Sequence, residues 1–314
     1  MPVRSVEVDG FTWNIHDEGV GPAVVMCHGF PGLGYSYRHQ VKTLAAAGYR
    51  AVAPDMPGYG RTDRPTIVGE YTNVAVADRL RRLLDALGIH QAVFVGHDFG
   101  APVAWTMALR HADRVAGLVL LAVPYAPDRL PARPTELYAA MARKHFLHLH
   151  YFQQPGVAEA ELDPRAAEFL QRVFFALSGG YRYLDIWNHP SEGRGYLDVL
   201  PVAPELPWDW LSAAELEHYA NEFSRTGFGG GLSWYRAYDA NWEHPRATRV
   251  RTSTYRHCSS RAHPTPSSRC PGRTRSSGCG RPFPICGDSI CSTMPVISYK
   301  WSVDARSTTC CSTS

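Results

Sequence analysis

Five residues, Gly96-His97-Asp98-Phe99-Gly100, stand between an apolar run, Ala92-Val93-Phe94-Val95, and a helical stretch from Ala101 to Arg110. The flanking glycines let the chain turn sharply from strand to helix and hold the central side chain out at the strand end. That side chain is a carboxylate. An aspartate serving only as a helix cap would need neither glycine. A carboxylate presented in this way attacks an electrophilic carbon and displaces a leaving group, forming an alkyl ester on the protein. Epoxides and alkyl halides are the substrate classes that suit such an attack.

The pattern on either side is that of a doubly wound α/β sheet. Val3 to Val8 and Thr12 to Ile15 alternate about Asp9-Gly10 in the manner of an antiparallel hairpin. Ala23-Val24-Val25-Met26-Cys27 is continuously apolar, as a strand buried on both faces is, and runs into His28-Gly29-Phe30-Pro31. Helical spacing covers Ser36 to Ala47, with Gly48 as its stop, and Val74 to Leu87, with Gly88 as its stop. Arg50 to Ala53 and Val115 to Ala122 read as strands. Strand and helix alternate, so each return requires a crossover and the strands run parallel, with reactive loops at their carboxyl ends. From Pro124 to about Gly231 only amphipathic pieces occur, such as Arg165 to Leu177 and Ala213 to Phe223. A helical insertion at this point lies over the sheet as a cap. The expected division is a core over residues 1–123, a cap over 124–230, a return to the core over 231–249 and a separate tail over 250–314.

Two backbone amides complete the reactive turn. The amide of Phe30, in the loop His28-Gly29-Phe30-Pro31, and the amide of Phe99 can together bind an oxyanion without any side-chain donor. Asp55-Met56-Pro57-Gly58-Tyr59-Gly60 is a further glycine-rich loop at a strand end and reads as structural. His97 packs beside the turn. His145, His148 and His150 do not share one helical face and have no Cys or carboxylate at ligand spacing, so no metal is expected. No phosphate-cradling loop, dinucleotide fingerprint or basic stripe occurs, so no cofactor and no nucleic-acid partner is expected. No apolar run is long enough to span a membrane. Met1-Pro2-Val3-Arg4-Ser5 lacks the apolar stretch of a secretory leader, which points to the cytoplasm.

These motifs occur together with two further segments, Tyr151-Phe152-Gln153-Gln154-Pro155-Gly156-Val157-Ala158-Glu159-Ala160-Glu161-Leu162 and Trp234-Tyr235-Arg236-Ala237-Tyr238-Asp239-Ala240-Asn241-Trp242. In combination they resemble the epoxide hydrolases of the α/β-hydrolase fold, over the chain from its start to about Arg249. The resemblance implies that fold, with a mostly parallel sheet and a helical cap. It implies a small apolar epoxide and water as partners, a diol as product, and two cap tyrosines that donate to the epoxide oxygen. Tyr151 and Tyr235 hold the matching positions. Such donors are chemically required, because ring opening leaves an alkoxide whose charge must be met as the C–O bond breaks.

One position departs from the pattern. Epoxide hydrolases usually carry Trp just after the nucleophile, and this chain has Phe99. Haloalkane dehalogenases use an indole N–H there to hold halide, and fluoroacetate-type dehalogenases carry Arg there for the substrate carboxylate. Phe99 provides neither, which leaves a dehalogenase as the second choice and a catalytically inactive protein of the same fold as the third.

Turnover needs a histidine, oriented by an acid, to activate water against the ester. Both should follow the cap, and no residue beyond Arg249 fits either role. Residues 250–314 change character: they hold nine basic and two acidic groups, seven of the eight cysteines and no apolar periodicity. The cysteines form no paired ligand or disulfide frame, and Cys310-Cys311 are adjacent. An irregular or disordered tail would have this composition. A shifted reading frame accounts for more. Back-translated in GC-rich codons and displaced by one base, the stretch reads as a buried strand, an acid, a Gly-His pair and an amphipathic helix, in the order the fold needs. The displaced acid spans the codons of Pro264 and Thr265, and the displaced histidine those of Val296 and Ile297.

Overall fold

A computed structural model describes residues 2–126 and 130–243 of the chain. Six strands, β1 (Val3–Val8), β2 (Phe11–Glu18), β3 (Ala23–Cys27), β4 (Arg50–Pro54), β5 (Ala92–His97) and β6 (Val115–Leu121), form one sheet in the order β1-β2-β4-β3-β5-β6. The β1–β2 hairpin closes on Asp9 and Gly10, both at positive φ, the backbone that a tight two-residue hairpin turn demands. β4, β3, β5 and β6 run parallel. All five residues of β3 are buried.

β2 is longer than hydrophobic alternation predicts. The polar run His16-Asp17-Glu18 hides the continuation, yet Ile15 to Glu18 pairs antiparallel with Ala51 to Pro54 of β4. Asp17 is held there by Arg50 at 2.8 Å and Arg4 at 2.5 Å. The helix expected from Ser36 instead opens as a 3-10 turn, Gly34–Tyr37, followed by α1 (Arg38–Ala46). The Tyr37 hydroxyl donates to the Cys27 carbonyl at 2.9 Å, which pins that turn to the end of β3.

The next helices cross over as the parallel strands require. α2 (Asn73–Ala86) starts at Thr72, whose hydroxyl accepts the Ala75 N–H, and buries Val76, Ala77, Leu80, Leu83 and Leu84. α3 (Gly100–Arg110) follows the turn after β5 and buries Val103, Ala104 and Met107 in the same core. After β6 the chain is helical: α4 (Pro134–Ala142), α5 (His148–Tyr151), α6 (Val157–Leu162), α7 (Ala166–Leu177), α8 (Tyr196–Val199) and α9 (Ala213–Thr226). Among the described residues of this stretch the one β feature is an isolated bridge between Trp208 and Leu211.

α10 (Gly229–Arg236) and α11 (Tyr238–Glu243) bring the chain back to the sheet. The Trp234 indole N–H donates to the Pro57 carbonyl at 2.9 Å and so fastens α10 to the loop after β4. No helix among the described residues is long and apolar enough to cross a membrane. The tail over 250–314, with the displaced acid and histidine read from it, lies outside the described residues.

Candidate active site

The carboxyl ends of β3 and β5 meet at Asp98. The residue has φ +53°, a left-handed conformation that costs a non-glycine residue about 1–3 kcal/mol and persists only when its surroundings enforce it. Two close approaches do so. A Cβ on Gly100 would lie 1.9 Å from the Cys27 carbonyl oxygen, so α3 starts in direct contact with the backbone of β3. A Cβ on Gly29 would lie 2.1 Å from Asp98 Oδ1, so the loop after β3 closes directly over the carboxylate.

The carboxylate is oriented by the backbone. The Phe30 amide donates to Asp98 Oδ1 at 2.9 Å, and the Phe99 amide acts on the same group. Burial raises the Asp98 pKa above its ordinary value, opposed by His97 and by these two amides. The amides that the sequence assigns to an oxyanion thus already face the Asp98 carboxylate.

His28 serves the loop. Its Nε2 accepts the Met56 N–H at 2.9 Å, so the ring proton sits on Nδ1 and donates to the Gly29 carbonyl at 2.9 Å. Burial lowers its pKa to about 4, which keeps the ring neutral. Pro31 follows Phe30 through a cis peptide bond. The loop after β4 is tied down by Asp55, which accepts from Asn14 Nδ2 and from the Gly34 amide, both at 2.8 Å.

Aromatic side chains surround the carboxylate. The Tyr235 ring, on α10, is 3% exposed and meets Phe99 at 4.7 Å, Phe152 at 4.9 Å and Phe30 at 5.4 Å between ring centres. Trp234 and Tyr238 pack on the other sides of Phe99. Burial, followed by the Asp98 charge, keeps the Tyr59 phenol protonated. The structure therefore brings Asp98, Phe30, Phe99 and Tyr235 together. It places Tyr151 differently: that hydroxyl donates to Glu161 Oε2 at 2.7 Å, and the ring lies on Phe146 and Phe152.

A family model described as the alpha/beta hydrolase fold matches residues 22–172. Epoxide hydrolase A of Mycobacterium tuberculosis is 42% identical to this chain over 243 residues, which are 76% of this chain and 75% of the relative. The chain belongs to the epoxide hydrolases of this fold. The crystal structure of epoxide hydrolase A from Mycobacterium thermoresistibile, 43% identical, matches with a TM-score of 0.71 over 77% of this chain and 76% of the other. The epoxide hydrolase from an endophytic Streptomyces, 38% identical, gives 0.72 over 77% and 73%. Bifunctional epoxide hydrolase 2 of Rattus norvegicus is 36% identical over 74% of this chain, which spans 41% of that longer relative.

Several residues of this epoxide hydrolase site are not evident from sequence spacing. Phe152 and Trp234 lie inside the segments that carry the resemblance, but only the structure turns them toward Phe30 and Phe99. His148 is buried beside Tyr235, with ring centres 5.8 Å apart. Its signal was the flanking pair Leu147 and Leu149: a histidine between two core positions needs a polar partner. Among the described residues no group of three or more His, Cys, Asp or Glu could hold a metal. His145 Nδ1 instead pairs with the Trp187 carbonyl at 3.0 Å, and His148 Nδ1 with the Tyr183 hydroxyl at 3.0 Å.

Proposed function

We propose that the chain converts a small apolar epoxide to a vicinal diol through an alkyl ester on Asp98. The observation that carries this reading is the Asp98 carboxylate, fixed by the Phe30 amide inside an aromatic surround that includes Tyr235. One carboxylate oxygen attacks a ring carbon, and the new C–O bond forms as the ring C–O bond breaks. The departing oxygen takes the Tyr235 phenolic proton. Water then attacks the ester carbonyl carbon, one of its protons passing through a base to the Tyr235 phenolate; the amides of Phe30 and Phe99 hold the tetrahedral oxyanion, and collapse breaks the ester C–O bond, gives the second proton of the water to the leaving alkoxide and returns the carboxylate with release of the diol. The net change is epoxide plus water to diol.

Tyr151, the second donor expected from sequence, would have to exchange its bond to Glu161 for one to the substrate. Hydrolysis of the ester also needs a base, which the sequence places after the cap and assigns to no residue of residues 250–314. We therefore expect alkylation followed by slow or absent release.

Intact-mass measurement after incubation with styrene oxide tests both halves. A stable adduct on the peptide carrying Asp98, absent in Asp98→Asn, is the expected result. Steady diol formation would overturn the single-turnover expectation, and epoxide consumption by Asp98→Asn at the full rate would overturn the mechanism. Phe99, whose side chain has no N–H to hold a halide, favours epoxides over alkyl halides, and halide release from short chloroalkanes would reverse that preference. We further propose a core–cap division near residues 124–230 and a cytoplasmic location, testable by limited proteolysis and by fractionation of the host.

A further inference from the structure

Two elements far apart in sequence meet over a buried histidine. His16 lies in β2, paired with Val3 of β1 on one side and Ala53 of β4 on the other, and is 6% exposed. Its Nδ1 is buried and takes no hydrogen bond. The 3-10 turn Gly34–Tyr37 roofs it: a Cβ on Gly34 would come within 3.0 Å of His16 Cδ2, and the Tyr35 ring stands 6.5 Å from the imidazole between ring centres. The same stretch of chain seats α9. His218 lies on Tyr35 at 4.0 Å, Tyr219 shares a 2.9 Å hydrogen bond with Ser36, and Glu215 accepts from Arg38 at 2.7 Å. The seat of a whole helix thus rests on a turn that stands on one imidazole.

We propose that His16 is a proton-operated latch for α9: acid charges the imidazole, the turn above it yields to let water reach the ring, and α9 lifts from the sheet. Release also opens the aromatic surround of Asp98, because Phe223 of α9 stacks on Phe228 at 4.6 Å and Phe228 meets the Phe30 ring at 6.1 Å. The latch does not depend on the chemistry assigned to Asp98. Burial, then His218 of α9 and the chain's amino group, lowers the His16 pKa to about 4. His28, in the loop after β3, is a further neighbour of the same sign when charged. Arg38 stands over the Tyr35 ring at 4.9 Å. The anions nearby are committed elsewhere: Asp17 to Arg4 and Arg50, and Asp55, after β4, to Asn14 and the Gly34 amide. His218 is exposed and takes its proton into water, so the buried ring carries the switch. Against burial, their arginines hold the Glu215 and Glu222 carboxyls of α9 below the ordinary range, so those ion pairs persist while His16 titrates, and His39, 3.8 Å from Glu215, supports its pair when charged. Neutral His16 belongs to the seated helix and charged His16 to the released one. A ring that titrates at its ordinary 6.5 when released and at about 4 when roofed favours release about 30-fold more at pH 5.0 than at pH 7.5.

Hydrogen–deuterium exchange of the full chain, with rates corrected for the intrinsic effect of pH, tests the latch. Between pH 7.5 and pH 5.0 the protection of the α9 amides is expected to fall by about 30-fold in the wild type, while that of α2, which has no part in the seat, stays nearly level. His16→Leu, which cannot titrate, keeps α9 equally protected at both pH values. Tyr35→Ala reports independently should that variant fail to fold: with the roof gone His16 titrates alike in both states, so α9 is less protected throughout and the pH dependence disappears. A fall in α9 protection that survives in His16→Leu overturns the proposal, as does no fall in the wild type. An equal fall in α2 overturns it too, since that is general acid unfolding. A pH dependence lost in His218→Phe but kept in His16→Leu places the switch on α9 itself and has the same consequence.

Discussion

Replacing Gly29 by alanine tests how tightly the two loops of the site are bound to each other. The new methyl would fall 2.1 Å from Asp98 Oδ1, 2.4 Å from its Cβ and 2.6 Å from its Cγ. Rotation of the carboxylate relieves the first contact but not the second, since Asp98 Cβ is fixed by a backbone already held at φ +53°. One loop must recede from the other by roughly 1 Å, and a displacement of that size at reacting groups costs on the order of 100-fold in rate. The Phe30 amide then loses its 2.9 Å contact with Oδ1. That bond stabilises the resting anion rather than the attack, so the loss of rate comes from the misplacement of the carboxylate and not from the energy of the bond. The assay is the alkylation rate with styrene oxide by time-resolved intact mass, alongside a thermal melt to show that the sheet is intact. Alkylation within threefold of wild type, in a protein that melts normally, would refute the reasoning.

Other perturbations have signs fixed by the same structure. Because burial raises the Asp98 pKa in the folded state, the ionised carboxylate opposes folding as pH rises through that value. Asp98→Asn is therefore expected to melt higher than wild type at pH 7 to 8, with the gap closing toward acid, and a lower melt at pH 8 would contradict this. Alkylation by wild type falls on acidification at a higher pH than an ordinary aspartate would give, because only the ionised form attacks. Glu215 shows the opposite linkage: against the penalty of burial, Arg38 at 2.7 Å and the Ser212 cap hold its pKa down to about 2. Its contribution is present at neutral pH and fades as pH falls toward that value. Glu215→Gln should lose about 2 kcal/mol at pH 7 and differ little from wild type near pH 2, as followed by denaturant melts at each pH. Ser212→Ala removes the hydroxyl that accepts the Glu215 amide at the start of α9, and a loss of about 1 kcal/mol is expected by the same melts.

Much of the sheet was legible in the sequence because its signals are local. An apolar pentad such as Ala23–Cys27 has few alternatives to a buried parallel strand, and the glycines around Asp98 announce a turn that no other residue tolerates. The hydrophobic alternation of β2 stops short of the strand's end for a physical reason. Its end is held by pairing to β4 and by Arg4 and Arg50 around Asp17, and neither cause is visible along the strand itself. The cap was harder. Whether Tyr151 or His148 faces Tyr235 depends on which way a four-residue helix is rotated, and that is decided by Glu161 and Tyr183, 10 and 35 residues downstream of their partners. A motif locates such a helix without fixing its rotation.

The contact of Gly100 with Cys27 links two parts of the chain that are far apart in sequence. Since the first turn of α3 rests on the backbone of β3 with no room for a methyl group, the turn that carries Asp98 and the loop whose Phe30 amide meets it share one rigid joint. In the language of inheritance, the two segments are a single character. A graft that exchanges the turn around Asp98 between relatives will carry its chemistry only if the strand end at Cys27 to Phe30 travels with it.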